Sequence, residues 1–259
     1  MGLKAFDLTG KVALITGGNG GIGLGIAKGI AEAGGAVAIW GTNEKKNAAA
    51  AKELRAFGGP VYVRKVDVSN EAEVVEGVIE TVKALGRIDS VFANAGIGGG
   101  ARFIDFSMEL FHKVLAVNLD GVFLTLREVA RHMTERAEAG DPGGSLVVVS
   151  SLSAFVAGAG NYAYVASKGA VTSMIRSCAQ EFGAIGVRAN AILPGWVDTD
   201  IATFAKADEA MNARIVKRLL TKRWGQPEDF AGIGVYLTSD ASRFHTGDWI
   251  VIDGGWQIS

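Results

Sequence analysis

Tyr164 and Lys168 are the side chains of this sequence best suited to proton-transfer chemistry. They are four residues apart, about one helical turn, so a helix projects both from the same face. A phenol, with a pKa of about 10, is a poor acid at neutral pH, but an adjacent ammonium favours the phenolate. The pair can therefore act as an acid/base device. The spacing alone is weak evidence, because Tyr and Lys meet at it by chance on many helices.

A glycine-rich turn near the N-terminus is the second candidate functional motif. The run Thr16-Gly17-Gly18-Asn19-Gly20-Gly21-Ile22-Gly23 lies between an apolar strand-like segment and apolar residues at helical spacing. Strand, glycine turn and helix form the context of a dinucleotide-phosphate site, where glycine lets the backbone approach the pyrophosphate and the helix presents free N–H groups. The alternative is a flexible glycine-rich loop, which the correct flanking elements disfavour.

Apolar strand-like runs alternate with amphipathic helical stretches along the chain, which predicts a parallel sheet covered by helices on both faces. We expect a Rossmann-like doubly wound α/β fold of about seven strands, formed by residues 1–259 as a single domain. The strand candidates are Val12–Thr16, Ala36–Trp40, Val61–Val66, Ser90–Ala93, Ser145–Ser150, Val187–Leu193 and Trp249–Ile252. Ligands of such sheets bind beyond the carboxyl ends of the strands, where Gly17, Asn94, Ser151 and Pro194 all follow predicted strands.

Several motifs in the correct order resemble the short-chain dehydrogenase/reductase family. The glycine turn has the spacing Thr-Gly-x-x-x-Gly-Ile-Gly, and Tyr164 and Lys168 supply Tyr-x-x-x-Lys. Further matches are Asn94-Ala95-Gly96, Asn118, Ser151 thirteen residues before Tyr164, the segment Pro194-Gly195-Trp196-Val197-Asp198-Thr199, and Asp253-Gly254-Gly255. The resemblance runs from about Leu8 to Gly255, nearly the whole chain.

The resemblance implies an NAD(P)-dependent oxidoreductase that interconverts a secondary alcohol and a ketone by hydride transfer. Tyr164 would be the general acid/base, Ser151 would bind and polarise the substrate oxygen, and Lys168 would lower the tyrosine pKa and hold the nicotinamide ribose. Asn118 would sustain a water-linked proton path to Lys168, although an ordinary helix cap is an alternative for an Asn. The residues expected to bind the cofactor are Gly17, Asn19, Gly21, Ile22, Gly23, Thr42, Asp67, Val68, Asn94, Ala95, Gly96, Tyr164, Lys168, Pro194, Gly195, Val197 and Thr199.

The choice between NAD and NADP depends on the end of the second strand. Gly41 stands where NAD-using relatives often carry Asp, and Thr42 stands where many NADP-using relatives carry Arg. Gly20 also replaces a basic residue that some NADP users carry in the glycine turn. The two missing cations favour NAD, although Lys45 and Lys46 could still reach a 2′-phosphate. The prediction is that NAD is preferred or that both coenzymes are used.

The substrate pocket is expected beside Ser151 and after Pro194, in a wall that is mostly apolar. A medium-sized hydrophobic alcohol or ketone is therefore expected rather than a sugar acid. The pocket candidates are Ser153, Phe155, Val156, Ala157, Trp196, Ile201 and Phe204. The alternative for Phe155 and Val156 is simple packing at a helix start. Residues 196–220 carry mixed charges at helical spacing and are interpreted as a substrate lid.

Composition narrows the function further. A net charge of −1 gives no electrostatic reason to expect nucleic acid or acidic membranes as partners, and no apolar run has the length of a membrane span. Cys178 is the only cysteine and no secretory signal is visible, so a cytoplasmic location is expected. The three histidines share no ligand pattern, so no catalytic metal is expected. Apolar surfaces on the long helices and at the C-terminus predict a homotetramer, with a dimer as the alternative.

Two other functions stay open. A 3-oxoacyl-(acyl-carrier-protein) reductase shares this motif set, but it needs a basic patch, and Arg127, Arg131 and Arg136 alternate with glutamates. A non-catalytic dinucleotide-binding protein would have no use for Tyr164.

Overall fold

A computed structural model describes residues 4–156 and 158–259, and within them seven parallel strands form one sheet in the order β3-β2-β1-β4-β5-β6-β7. The strands are β1 Val12–Thr16, β2 Ala36–Trp40, β3 Val61–Arg64, β4 Ser90–Ala93, β5 Gly144–Val149, β6 Val187–Pro194 and β7 Trp249–Ile252. This arrangement confirms the predicted doubly wound α/β class.

Helices cover both faces of the sheet. They are α1 Gly21–Glu32, α2 Glu44–Arg55, α3 Glu71–Leu85, α4 Met108–Leu115, α5 Gly121–Glu138, α6 Tyr162–Phe182, α7 Thr203–Ala207, α8 Glu209–Arg218 and α9 Ala231–Thr238. Helices α3, α5 and α6 pack on one face, and α1, α2 and α9 pack on the other. Because the central strands are covered by helices on both faces, they are largely apolar, as the fully buried β1 illustrates with Val12-Ala13-Leu14-Ile15, whereas the edge strands β3 and β7 are only partly buried.

Several boundaries differ from the sequence-based expectation: β5 is shifted by one residue, to Gly144–Val149, and β6 extends to Pro194. Strand β3 ends at Arg64 rather than Val66, because Arg64 pairs with Trp40, the last residue of its neighbour β2. Helix α6 begins at Tyr162, and the Val165 N–H already bonds to the Asn161 carbonyl. Tyr164 therefore lies in the first turn of the helix. Before α5, residues Ala116–Asp120 form a wide π-helical turn that contains Asn118.

Helices α1 and α9 approach unusually closely. A methyl group at Gly25 would overlap the Pro227 carbonyl at the start of the segment that leads into α9, and one at Gly29 would lie 2.8 Å from the Ala231 Cα atom. Gly234 presents the same constraint from α9, since its methyl would lie 2.8 Å from the Ile26 side chain. The helix that follows the glycine turn is thus held against the body of the protein by contacts that leave no room for side chains at these positions.

The carboxyl ends of β1, β4, β5 and β6 lie at one edge of the sheet, because neighbouring parallel strands share a direction. The glycine turn, the Asn94 loop, the Ser151 segment and the loop after Pro194 all leave from this edge. None of the helices in the described part of the chain is both long and apolar enough to cross a lipid bilayer.

Candidate active site

The turn between β1 and α1 is tightly restricted to glycine. Gly17 has φ +64°, and a methyl group there would lie 3.0 Å from the Ala95 Cα atom. A methyl at Gly23 would lie 2.6 Å from the Gly17 carbonyl oxygen. The Leu24 N–H donates to the Gly20 carbonyl, which is the first hydrogen bond of α1. The backbone N–H groups before Leu24, in the first turn of the helix, are therefore left for an external acceptor. Ile22 is partly buried and packs against the core on the α1 side.

Asn94 braces this turn from the neighbouring strand. Its Nδ2 donates to the Thr16 carbonyl at 2.9 Å and to the Gly17 carbonyl at 3.3 Å. The backbone N–H groups of Asn94 and Ala95 both donate to Thr16 Oγ1, at 3.0 Å each. The amide of Asn94 therefore fixes the position of the glycine turn, and Thr16 is a positioning residue that the sequence analysis did not single out. Its place directly before Gly17 was the available signal.

Lys168 is buried below the carboxyl end of β5. Its Nζ donates to the Val149 carbonyl at 2.8 Å and lies 5.5 Å from the centroid of the Tyr164 ring. Burial lowers the pKa of the Lys168 ammonium to about 8. One hydrogen bond leaves further N–H donors free on the ammonium, which is the requirement for a group that also binds a ribose hydroxyl.

Tyr164 and Ser151 are brought together by the first turn of α6 and the end of β5. Burial raises the pKa of the Tyr164 hydroxyl above its ordinary value, and the nearby Ser151 hydroxyl lowers it by a smaller amount. Ser151 Oγ also accepts a hydrogen bond from the Ser153 N–H at 3.1 Å, which fixes its rotamer. In this structure, burial rather than Lys168 dominates the tyrosine pKa; the lowering assigned to Lys168 stays a prediction.

Asn118 is fully buried in the π-helical turn. Its Oδ1 accepts from the Ile97 N–H at 2.8 Å, and its Nδ2 donates to the Ile97 carbonyl at 3.0 Å. A methyl group at Gly96 would lie 3.4 Å from Asn118 Oδ1 and 3.6 Å from Lys168 Nζ, so both polar atoms flank the same stretch of backbone. The side chain does not serve as an ordinary helix cap, since its bonds go to another loop.

The side chains of Ser150 and Tyr162, close to Ser151 and Tyr164 in the sequence, have other contacts. Ser150 Oγ donates to the Lys168 carbonyl at 3.0 Å and lies 2.6 Å from Thr172 Oγ1, on the α6 side of the sheet. The ring of Tyr162 packs edge-on against Phe103 and Phe106, with centroids 4.8 and 5.8 Å away. Ser150 is thus engaged with α6, and the Tyr162 ring belongs to an aromatic cluster with Phe103 and Phe106.

The adenosine end of the predicted cofactor site contains uncharged amides. Asn19 Nδ2 donates to Asn47 Oδ1 at 2.6 Å, and Asn47 Nδ2 donates to the Gly41 carbonyl at 2.8 Å. Thr42 is exposed, and Lys46 forms an ion pair with Asp200. Asn47 was missed by the sequence analysis, because nothing local indicates that it reaches the glycine turn.

Asp67 and Val68 follow β3. Asp67 Oδ1 accepts from the N–H and hydroxyl of Ser69, so this carboxylate organises its own loop. The side chain of Val68 is buried against α5, where a methyl at Gly121 would lie 2.7 Å from it. The backbone of Val68 is therefore the part of this residue available to a ligand.

The loop after β6 joins the same edge. Pro194 is the last residue of β6, and the Gly195 N–H donates to the Ile252 carbonyl at 2.9 Å. Val197 is buried in the core, and Thr199 meets the glycine turn, since a methyl at Gly21 would lie 3.1 Å from its Cγ2. Trp196 packs edge-on against Trp224 and Trp256, with centroids 5.6 and 5.9 Å away.

The side chains expected to line the substrate pocket differ in exposure. Phe155, Ile201 and Phe204 are 48%, 44% and 58% exposed, whereas Ser153 and Val156 are half-buried. Ile201 reaches the loop after β4, where a methyl at Gly98 would lie 3.5 Å from its Cγ2. Ala157 lies outside the described residues. Among the described residues, no group of three or more His, Cys, Asp or Glu is arranged to hold a metal ion.

Comparison with known proteins gives concordant matches. The family model described as enoyl-(acyl carrier protein) reductase matches residues 17–257. The L-rhamnose 1-dehydrogenase (NAD(P)(+)) of Azotobacter vinelandii is 36% identical over 256 residues, which cover 97% of this chain and 98% of that protein. The 3-oxoacyl-[acyl-carrier-protein] reductase of Chlamydia pneumoniae is 34% identical over 248 residues, covering 96% and 97% of the two chains.

Among solved structures, a gluconate 5-dehydrogenase from Burkholderia cenocepacia J2315 in complex with NADP and tartrate superposes with a TM-score of 0.92. It is 34% identical, and the match covers 98% of each chain. The matches therefore extend over the sheet and over every segment that contributes to the site.

Proposed function

Since this chain belongs to the short-chain dehydrogenase/reductase family and is an NAD(P)-dependent oxidoreductase, we propose that it interconverts a secondary alcohol and a ketone with Tyr164 as general acid/base. The observation that carries this proposal is the convergence of Tyr164, Ser151 and Lys168 on the sheet edge that also holds the glycine turn. Asn94 links the glycine turn to the next loop, and Asn118 links that loop to the vicinity of Lys168.

The residues at this edge fit a nicotinamide dinucleotide. The glycine turn offers backbone N–H groups to a pyrophosphate, and no side chain fits at Gly17 or Gly23 without a clash. The nicotinamide accepts or delivers the hydride when it is bound. We assign its ribose to Lys168 and its amide end to the segment from Pro194 to Thr199.

Side chains of the protein carry out the proton transfer. In the direction of oxidation, the Tyr164 oxygen takes the substrate hydroxyl proton, and in reduction it returns it. Ser151 holds the substrate oxygen, because its hydroxyl lies beside that of Tyr164 and is fixed by Ser153. Asn118 holds the Ile97 backbone in place near the Lys168 ammonium, where a water-linked path to solvent would begin.

The coenzyme preference we propose is NAD. An acid at position 41, usual for binding the ribose 2′-hydroxyl, is replaced here by glycine, and a side chain there would require the Asn19 amide to move. The Asn19–Asn47 pair offers neutral amide groups instead. Lys46, the cation that could meet a 2′-phosphate, is occupied by Asp200. The Burkholderia relative was solved with NADP, so use of both coenzymes is the alternative.

Asp200→Asn tests this assignment. Freeing Lys46 should raise kcat/KM for NADP relative to that for NAD by about twofold to fivefold, because an exposed ion pair is worth up to about 1 kcal/mol. Asp198→Asn is the matched control, since it makes the same change of charge but removes only the ion pair with Lys206. Steady-state kinetics with both coenzymes measures this ratio of kcat/KM values. An equal change of the ratio in the two variants would contradict a specific role for Lys46.

For the substrate, we propose a medium-sized hydrophobic alcohol or ketone. Exposed Phe155, Ile201 and Phe204 line the approach with apolar surface, which favours apolar substrates over hydroxyl-rich ones. Several relatives carry names that refer to sugars or sugar acids, so these compounds are the direct competitors. Residues 196–220 are proposed as the lid, anchored by the cluster of Trp196, Trp224 and Trp256.

A carrier-bound 3-oxoacyl group is the second candidate, favoured by the relative from Chlamydia pneumoniae. The basic residues it would need are already paired: Arg127 with Glu71 and Glu128, and Arg131 with Glu128. Arg136 is likewise engaged by Asp141. These ion pairs argue for a solvated mixed face rather than a docking surface for an acidic carrier protein.

The direct test is a screen that follows absorbance of the reduced nicotinamide. Each coenzyme is combined with aliphatic, cyclic and aryl secondary alcohols, with gluconate and rhamnose, and with a carrier-linked 3-oxoacyl substrate in the reverse direction. The proposal expects the highest kcat/KM among the apolar alcohols. Higher activity with sugar acids would overturn the substrate class but not the reaction, and absence of turnover with every compound would contradict both.

We propose a homotetramer located in the cytoplasm. Apolar side chains are exposed on α5, at the start of β7 and at the C-terminus, as Phe123, Trp249 and Ile258 illustrate. Burying these side chains between subunits would remove their apolar surface from water. Light scattering after size-exclusion chromatography at micromolar concentration should give four times the 27.0 kDa chain mass. A monomer mass would contradict this assembly. The location rests on the lone, half-buried Cys178.

A further inference from the structure

A polar cavity of about 190 Å³ lies at the amino-end edge of the sheet, opposite the nucleotide edge. It opens where strands β1, β4, β5 and β6 begin, and the segment after α9 closes one side. Five cationic side chains line it: Lys11, Arg87, Arg136, Arg188 and Arg243. Three carboxylates accompany them: Asp89, Asp141 and Asp240. The lining therefore carries a formal charge of +2 (five cations minus three anions).

The carboxylates neutralise only part of the positive charge of the cavity lining. Arg87 is paired with Asp89 at 2.7 Å, and Arg136 with Asp141 at 2.8 Å. Lys11 is paired with Asp240 at 3.5 Å. Within residues 4–156 and 158–259, neither Arg188 nor Arg243 forms an ion pair with a carboxylate. The excess positive charge thus belongs to these two guanidinium groups.

The half-buried Arg188 has hydrogen-bond partners for only part of its guanidinium group among the described residues. Its Nη2 donates to the Leu237 carbonyl at 2.8 Å at the end of α9, but its buried Nη1 has no hydrogen-bond partner among the described residues. Ser145, its register neighbour on β5, also has a buried Oγ without a partner within that part of the chain. Burial lowers the pKa of the Arg188 guanidinium. Unsatisfied buried polar groups of this kind generally indicate a missing polar partner.

We propose that this cavity binds a small tetrahedral oxyanion with two negative charges, of the phosphate or sulfate type. Two charges match the +2 excess, and guanidinium groups bind such oxyanions through parallel hydrogen bonds. The volume lies below the roughly 300–1,000 Å³ of pockets for drug-sized ligands, which favours a small ion. Two nearby backbone carbonyls, which would repel an anion, accept hydrogen bonds from arginines: Leu237 near the end of α9 from Arg188, and Ile88 shortly before β4 from Arg136.

Equilibrium dialysis with radiolabelled inorganic phosphate at fixed ionic strength measures this site directly. Saturating NADH is present in every sample to fill the pyrophosphate site. The wild-type chain is expected to bind one phosphate, and Arg243→Gln to weaken that binding about tenfold, through loss of one charge-assisted contact. Arg243 is exposed, so its replacement leaves the fold intact. Arg55→Gln, an exposed arginine at the end of α2, is the matched control and should bind like wild type.

Asp240→Asn supplies a test of opposite sign. Removing this carboxylate frees Lys11 and raises the excess charge, so phosphate should bind about threefold more tightly, a gain that partial unfolding cannot produce. Sulfate and glycerol phosphate as competitors distinguish a free inorganic ion from the headgroup of a larger phosphate ester. Phosphate binding that is equal in wild type, Arg243→Gln and Asp240→Asn, or absent from all three, would overturn the proposal.

Discussion

Replacing Tyr164 by Phe should lower kcat about 10²- to 10⁴-fold while coenzyme affinity changes by less than about twofold. The substitution removes only the hydroxyl, which lies beside Ser151 and is the proposed group that exchanges a proton with the substrate oxygen. The ring remains, so the Lys168 ammonium keeps its position 5.5 Å from the ring centroid and its hydrogen bond to the Val149 carbonyl. Single-turnover hydride transfer and fluorescence titration with NADH measure the two effects separately.

Tyr162→Phe is the matched control for this experiment. Tyr162 lies two residues earlier in the same helix, but its ring packs against Phe103 and Phe106, away from Ser151. The control should retain activity within about twofold, because only a peripheral hydroxyl is lost. If Tyr164→Phe kept wild-type turnover, the general acid/base assignment would fail, and a dinucleotide-binding protein without catalysis would become the better interpretation of the tyrosine.

Replacing Lys168 by Met should lower kcat/KM about 10²- to 10³-fold, because a preorganised cationic donor is lost from the site. Unlike the tyrosine variant, this one should also weaken coenzyme binding, since the ammonium is the proposed donor to the nicotinamide ribose. Lys83→Met, which removes an exposed lysine of α3, is the control and should change neither parameter. Equal coenzyme affinity of Lys168→Met and wild type would contradict the ribose contact.

Lys168 should also make the free energy of unfolding depend on pH. The pKa of Lys168 is about 8 in the folded chain and about 10.4 when unfolded, so the unfolded state binds more protons between these values. The free energy of unfolding of the wild-type protein should therefore rise as the pH increases from about 8 to 10, and the burial penalty of about 3 kcal/mol is present in full below pH 8. Urea unfolding at pH 7 and pH 10 should show this rise in wild type.

The methionine variant provides the reference for that measurement. It lacks the titrating ammonium, so its stability relative to wild type should fall by about 2–3 kcal/mol between pH 7 and pH 10. At pH 7 the relief of charge burial is largely offset by the unpaired Val149 carbonyl, which costs about 1–3 kcal/mol. A constant difference between the two proteins at all pH values would show that Lys168 titrates normally.

Local patterns were sufficient to predict the sheet and the order of its strands along the chain. The central strands are mostly buried and largely apolar, as Val12-Ala13-Leu14-Ile15 shows, and no tertiary information is needed to recognise them. The glycine turn is recognisable from its spacing and its flanking strand and helix, although the contacts that restrict Gly17 and Gly23 come partly from the distant Asn94 and Ala95. Strand ends were less predictable: β3 ends at Arg64, where its partner strand ends.

The remaining features depend on contacts between distant parts of the chain. Asn94 was expected at the site, but its bonds to Thr16 and Gly17, across 78 and 77 residues, are visible only in the fold. The ion pair between Lys46 and Asp200 spans 154 residues. The amino-end cavity likewise combines side chains from the segments before β1 and β4, from α5, from β6 and from the segment after α9, and no sequence motif records their proximity.

The close approach of α1 and α9 has a practical consequence for protein engineering. Gly25 and Gly29 are held against the segment from Pro227 to Ala231, so a library that randomises the helix after the glycine turn should yield mostly unfolded clones. Thr42 and Lys45 are exposed, and substitutions there disturb no packing. Laboratory evolution of coenzyme use should therefore succeed through the short segment after β2, and mutations recovered in α1 should be confined to its outward positions.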